Sequence, residues 1–145
     1  LGFVDGDGLD AGDAVVHQLH DLLPALVFLF HDFQGGAGGI FHDLGIAHVF
    51  QGVGDKQATV GELLARLDLH WADCAFMGDD LIDLRVMAQC GLAIAPPNAR
   101  PLVRERAHAV TDAAGGHGAV REAAEFILAA QGRLDGLFAD YLEPR

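Results

Sequence analysis

Cys74-Ala75-Phe76-Met77-Gly78-Asp79-Asp80-Leu81-Ile82-Asp83 is the segment from which the architecture of this chain follows. Its first four residues are apolar, typical of a short buried strand, and the strand ends at the glycine. Two adjacent carboxylates follow, and a helical spacing of apolar residues begins at Leu81. Acids between a strand end and a helix start occupy the usual ligand position of an open α/β sheet. Because adjacent carboxylates repel each other, the segment predicts a cation or a basic group beside them.

A second acidic cluster, Asp5-Gly6-Asp7-Gly8, follows another short apolar run, from Leu1 to Val4. If the two predicted strands are parallel neighbours, Asp5, Asp7 and Asp79 converge on one oxygen-rich site. Such a site suits a hard cation such as Mg²⁺. The alternative is a solvated acidic turn, since Asp-Gly pairs are common in turns.

The composition indicates one soluble domain that spans residues 1–145. The chain has 145 residues, 51% of them hydrophobic, and a formal net charge of -12. This charge disfavours nucleic acid and anionic membrane surfaces as partners. No apolar run approaches the length of a membrane span, and no basic segment precedes one, so we expect no secretory signal. Cys74 and Cys90 lie in apolar runs and are predicted to be free thiols, which indicates a cytoplasmic protein.

Strand and helix patterns alternate along the chain from Thr59 onward. Predicted strands at 74–77, 92–95 and 109–111 alternate with predicted helices at 60–67, 81–89, 101–107 and 120–128. Thr59 is the predicted cap of the first of these helices. The alternation predicts a three-layer, Rossmann-like α/β fold: a parallel sheet with helices on both faces. Residues 1–43 are atypical, because four glycines between positions 35 and 39 disfavour a helix there. Residues 132–145 are predicted to form a polar C-terminal tail.

Several segments, taken in order, resemble the haloacid-dehalogenase-like (HAD-like) phosphatases, and within them the 3-deoxy-D-manno-octulosonate 8-phosphate (KDO 8-phosphate) phosphatases. These segments are Leu44–Ile46, Phe50–Lys56, Gly78–Met87, Gly115–Glu122 and Ala130–Gly132. The resemblance implies a HAD-like fold without a cap domain. It further implies a cytoplasmic, Mg²⁺-dependent phosphatase of lipopolysaccharide biosynthesis that acts on a small phosphorylated sugar acid. It also implies a homotetramer.

The resemblance assigns the chemical steps to residues of this chain by position. Asp5 matches the nucleophile, which would form an aspartyl-phosphate intermediate, and Asp7 matches the general acid and base. Lys56 matches the lysine that steadies the nucleophile and the phosphate. Asp5, Asp7 and Asp79 are the predicted Mg²⁺ ligands. A surface lysine at position 56 and a helix-capping acid at position 79 are the alternatives.

Further candidates lie around these residues. Asp80 and Asp83 are secondary candidates: they can be ordinary first-turn acids of a helix, and Asp83 can also orient Lys56. The candidates for substrate binding lie at the start of the last helix, where backbone N–H groups can face an anion; they are Gly116, His117 and Arg121. A plain tight turn is the alternative for this glycine segment.

The front of the chain departs from the family pattern. Phe30 stands where the family places a Thr or Ser hydroxyl that binds phosphate, and losing such a donor costs about 10²–10³ in rate. No hairpin pattern occurs between Leu9 and Pro24, where the family carries the hairpin that builds its tetramer. Two alternatives to an active phosphatase therefore stay open. One is an inactive HAD-fold scaffold that binds a metal or another subunit, and the other is that residues 1–43 do not represent a natural reading frame.

Overall fold

The structure is a computed structural model that describes residues 2–3, 48–50 and 52–142. In chain order the elements are β1 (Gly2–Phe3), α1 (Lys56–Arg66), β2 (Ala75–Met77), α2 (Leu84–Met87), β3 (Leu92–Ala95), α3 (Pro101–Arg106), β4 (Ala109–Val110), α4 (Ala119–Ala130) and α5 (Leu134–Leu142). The predicted alternation of strands and helices is confirmed. None of the helices in this part of the chain combines the length and the apolar character that crossing a bilayer requires.

The sheet has the strand order β1-β4-β3-β2. β2, β3 and β4 are parallel, with Met77 opposite Ile94 and Ile94 opposite Ala109. β1 pairs with the free edge of β4 in the antiparallel direction, with Phe3 opposite Ala109. Two strands therefore separate β1 from β2, so the first strand is not a parallel neighbour of the strand before Asp79.

The two faces of the sheet carry separate apolar clusters, because successive side chains of a strand point to opposite faces. Phe76, Ala93 and Ala95 pack on one face with buried residues of three helices, among them Val60 of α1, Val86 of α2 and Val103 of α3. Ala75, Leu92 and Ile94 pack on the other face with Ala123 and Ile127 of α4. Helices on both faces of the sheet are thus confirmed.

Three local predictions need correction. The first helix is capped by Asp55, whose Oδ1 accepts a hydrogen bond from the Ala58 amide at 3.0 Å, and Thr59 lies inside the helix. Leu81 belongs to a 3-10 turn and is 47% exposed, so it does not share the buried face assigned to it. Residues 132–145, predicted to be a polar tail, contain helix α5.

Candidate active site

Gly78 makes the turn that ends β2. Its amide donates to the carbonyl oxygen of Ile94 at 3.0 Å and so continues the ladder between β2 and β3 by one residue. A Cβ atom added to Gly78 would lie 2.4 Å from Cβ of Asp83, closer than real Cβ atoms approach. The missing side chain therefore lets Asp83 pack directly beneath the turn.

Asp83 joins this turn to Lys56. Its carboxylate is nearly inaccessible, since the residue is 2% exposed. Oδ2 accepts hydrogen bonds from the backbone amides of Asp79 at 3.0 Å and Asp80 at 3.1 Å. Oδ1 accepts from Nζ of Lys56 at 2.5 Å, and Lys56 is itself only 7% exposed. Lys56 is therefore not a surface lysine: it forms a buried ion pair that fixes its position relative to the two acids.

The adjacent acids at positions 79 and 80 have different surroundings. Asp80 caps the 3-10 turn, since its Oδ1 accepts from the Leu81 amide at 2.8 Å. The same oxygen lies 2.9 Å from Nε of Arg100. Asp79 is exposed, and its backbone is held on both sides, by the Asp83 carboxylate at its amide and by the Arg100 amide at its carbonyl oxygen, 3.0 Å away. Asp79 thus remains the better placed of the two acids to bind a cation.

The predicted metal site is only partly within the described residues. Asp79 lies at the carboxyl edge of the parallel strands, as expected, whereas Asp5 and Asp7 lie outside the described residues. Across residues 2–3, 48–50 and 52–142, no three or more His, Cys, Asp or Glu side chains cluster in a way that could hold a metal. The carboxylate of Asp79 is a donor of the type that Mg²⁺ prefers, and the remaining ligands stay a prediction. Phe30 also lies outside the described residues.

The glycine loop, residues 115–118, is the second half of the connection between β4 and α4. Gly116 and Gly118 adopt positive φ angles of 79° and 109°, and Gly116 and His117 are exposed. Since β2, β3 and β4 are parallel, the segments that follow them emerge at one edge of the sheet. Gly116 and His117 therefore lie on the same edge as Asp79, and their contact with substrate stays a prediction.

Arg121, in the first turn of α4, is already engaged. Its side chain is 80% exposed, and Nε donates to Oε1 of Glu125 at 2.8 Å. This hydrogen bond, together with the negative charge of Glu125, raises the pKa of the guanidinium group. An anionic substrate would have to compete with Glu125 for this side chain.

Sequence reasoning missed two residues of this edge, Asn98 and Arg100. Both lie in the connection between β3 and α3, directly after the strand beside β2. The rule that ligands bind beyond the carboxyl ends of parallel strands would have found them. Arg100 is also the basic group that the adjacent acids called for.

The cysteines lie away from this edge, inside the cluster that α1, α2 and α3 cover. Both are free and buried, as predicted. Burial raises the pKa of Cys74 to about 11. Burial, and to a lesser extent the neighbouring Cys74, raises the pKa of Cys90 to about 12. Both thiols are therefore protonated and unreactive at neutral pH.

Comparison with known proteins links this arrangement to a family. Residues 39–122 match the model of haloacid dehalogenase-like hydrolases. A 3-deoxy-D-manno-octulosonate 8-phosphate phosphatase of Yersinia pestis is 50% identical over 93 residues, which are 64% of this chain and 50% of that protein. The corresponding phosphatase of Escherichia coli strain K12 is 47% identical over 92 residues, or 63% of this chain and 49% of the relative. The chain thus spans about half the length of the curated relatives it matches.

Solved structures agree in fold. A probable YrbI family phosphatase from Pseudomonas syringae pv. phaseolica superimposes with a TM-score of 0.77 at 38% identity, over 93% of this chain and 76% of that one. The KDO 8-phosphate phosphatase from Moraxella catarrhalis, in complex with magnesium ion, phosphate ion and KDO, gives a TM-score of 0.73 at 30% identity. That match covers 90% of this chain and 75% of the other. Because the family model covers more than half of the sequence and these structures share its fold, the chain belongs to the haloacid dehalogenase-like hydrolases.

Proposed function

We propose that this protein is a Mg²⁺-dependent phosphomonoesterase that hydrolyses a small phosphorylated sugar acid, KDO 8-phosphate, to KDO and phosphate. The observation that carries the proposal is the buried Asp83 carboxylate, which holds the Lys56 ammonium group and the Asp79 turn in one fixed arrangement. The names of the relatives support the substrate, and the magnesium, phosphate and KDO bound to the Moraxella protein support the ion and the product. We also place the reaction in the cytoplasm, in lipopolysaccharide synthesis.

The chemistry needs positive charge at this edge of the sheet, since a carboxylate cannot approach a phosphate dianion without it. Lys56 supplies one such charge, held in place by Asp83. Asp79, with Asp5 and Asp7, would hold Mg²⁺, and the ion when bound would neutralise further charge on the phosphate. Gly116, His117 and Arg121 would contact the sugar acid.

The covalent steps belong to Asp5 and Asp7. The Asp5 carboxylate attacks phosphorus, the bond between phosphorus and the sugar oxygen breaks, and Asp7 gives that oxygen a proton. Asp7 then takes a proton from water as the water attacks the aspartyl phosphate, which releases phosphate and restores Asp5. Both roles come from the family resemblance.

A second candidate function is an inactive scaffold of the same fold that binds a metal or another subunit. The position of β1 favours it. Neighbouring strands lie about 4.8 Å apart, so three steps place β1 about 14 Å from β2. β1 is also antiparallel to β4, so Phe3 lies nearer than Gly2 to the amino edge of the parallel strands, whereas Asp79 lies at their carboxyl edge. Asp5 and Asp7, which the phosphatase needs beside Asp79, lie outside the described residues.

Steady-state phosphate release from KDO 8-phosphate separates the two candidates. We expect release that depends on Mg²⁺ and is lost in Asp5→Asn and Asp79→Asn. Glu105→Gln, an exposed carboxylate-to-amide change in the last turn of α3, is the control that retains it. A wild-type protein that releases no more phosphate than Asp5→Asn would refute the phosphatase. Thermal unfolding then tests the metal site by itself, because an ion that binds the native state raises the midpoint. A Mg²⁺-dependent rise in the wild type that Asp79→Asn abolishes, without phosphate release, would establish the scaffold.

A further inference from the structure

The connection between β3 and α3, residues 96–100, contacts the segments that follow both neighbouring strands. It lies between the Asp79 turn, which follows β2, and the glycine loop, which follows β4. Its contacts to these two segments are made by residues only two positions apart, Asn98 and Arg100. A short segment with such contacts can fix the separation of its two neighbours.

The contact to the glycine loop comes from Asn98. Its Oδ1 accepts a hydrogen bond from the Gly115 amide at 2.7 Å. The two residues approach so closely that a Cβ atom on Gly115 would lie 3.3 Å from Oδ1 and 3.6 Å from Cγ of Pro96. Glycine at position 115 is therefore matched to the side chain that it meets.

The contact to the acidic turn comes from Arg100, through its backbone and its side chain. The Arg100 amide donates to the carbonyl oxygen of Asp79 at 3.0 Å. Nε of Arg100 lies 2.9 Å from Oδ1 of Asp80, but both side chains are more than half exposed, so this ion pair contributes little. The backbone hydrogen bond is therefore the contact through which Arg100 holds Asp79.

The segment between these two contacts has little freedom. The Ala99 amide donates to the carbonyl oxygen of Pro96 at 3.0 Å and closes a turn, and Ala99 is buried in the core. Arg100 is the N-cap of α3, followed by Pro101 at the first helical position, where the ring fixes φ. We therefore expect a displacement of Asn98 to be transmitted to Arg100 instead of being absorbed between them.

We propose that Asn98 is a positioning residue, which sets the separation between the glycine loop and the Asp79 turn and thereby aligns bound sugar acid with the reacting phosphate. The contribution to substrate alignment rests on the proposed function. The mechanical link from Asn98 to Arg100 does not, and amide hydrogen exchange tests it independently of activity.

Hydrogen exchange of the Gly115 and Arg100 amides in Asn98→Ala tests the link. We expect exchange at Gly115 to rise because the acceptor is gone, and exchange at Arg100 to rise roughly fivefold, as the loss of about one hydrogen bond predicts. Asn98→Asp keeps an acceptor oxygen and should restore protection at both amides. Asp73→Ala is the matched control, since Asp73 accepts from the His70 amide at 2.8 Å by the same type of bond. An Arg100 amide that exchanges as in the wild type would overturn the link.

Kinetics test the alignment. With KDO 8-phosphate, Asn98→Ala should lower kcat roughly fivefold, because the bound substrate is misaligned, and change KM less than twofold, while kcat for p-nitrophenyl phosphate, which lacks the sugar acid, stays constant. Asp73→Ala should change neither constant. Equal effects on both substrates, or none, would overturn the alignment. An inactive wild type would refute the proposed function and the alignment together, and the exchange measurement would still decide the link.

Discussion

Replacing Asp83 with asparagine tests the buried ion pair on which the candidate site depends. The carboxylate accepts three hydrogen bonds, from Nζ of Lys56 and the amides of Asp79 and Asp80. An asparagine of nearly the same shape offers one acceptor oxygen and one donor nitrogen. In either orientation the nitrogen faces a donor, so Asp83→Asn loses the partner of the ammonium group or the partner of the two amides. Lys56 also keeps its charge without a counter-ion.

The expected cost is large because the site is closed to water. Removing one partner of a buried ion pair costs about 3–5 kcal/mol. That is a large share of the roughly 5–15 kcal/mol by which a domain is stable. In a chain of this length the melting temperature should fall by about 10–15 °C. The free energy of unfolding would be measured by urea denaturation, with the slope as a check that the unfolded state is unchanged.

A double-mutant cycle with Lys56→Met separates the pair from the rest of the site. Methionine removes the ammonium group and keeps an unbranched side chain. If the two groups interact, the double variant loses less stability than the sum of the single variants, by about 2 kcal/mol. Glu125→Gln makes the same carboxylate-to-amide change in the exposed pair with Arg121, and it should leave the midpoint of urea unfolding unchanged. Losses that add within about 0.5 kcal/mol, or an Asp83→Asn variant that is nearly as stable as the wild type, would refute the reasoning.

Two further predictions concern packing and thiol chemistry. Gly78→Ala should destabilise the fold by about 1–3 kcal/mol, because the added methyl group would meet Asp83. Gly136→Ala, in helix α5 with open space around it, is the control and should raise the melting temperature. A Gly78→Ala variant as stable as the wild type would contradict the packing. Iodoacetamide at pH 8 should leave Cys74 and Cys90 unmodified until urea unfolds the chain, as mass spectrometry would report. Burial raises the thiol pKa from 9.0 to about 11 for Cys74 and about 12 for Cys90. The contribution of the protonated thiols to the free energy of unfolding is therefore complete below pH 9 and is lost as the pH rises toward 12. Rapid modification of either cysteine in the folded protein, or no loss of stability above pH 9, would contradict the burial of these thiols.

The parts of the fold that were predictable are those with a repeating apolar pattern. β2, β3 and α4 are long enough, or apolar enough, to show their period, and their order along the chain implies a parallel sheet. Lys56 and Asp83 are 27 residues apart, and the sequence offers their contact only as one option among several. Local pattern cannot rank such options, because only the packed chain shows which side chains meet.

Other features lie beyond local pattern for identifiable reasons. β1 has two residues, and a strand that short carries no signal of its direction or partner. Asp55 caps α1 because its carboxylate reaches the Ala58 amide, whereas the apolar spacing began later and pointed to Thr59. Asn98 acts through one hydrogen bond to a loop that follows another strand, so no feature of its own neighbourhood marks it.

The adjacent acids show how the structure changes an argument from sequence. Asp79 and Asp80 together called for a cation or a basic group, and Arg100 supplies the basic group through its contact with Asp80. Since that pair is exposed, it relieves the repulsion by only about 1 kcal/mol or less, which is enough for two solvated carboxylates to coexist. The pair of acids therefore does not by itself require a metal. Among the described residues, the argument for Mg²⁺ rests on Asp79, whose backbone is fixed from both sides while its residue stays open to solvent.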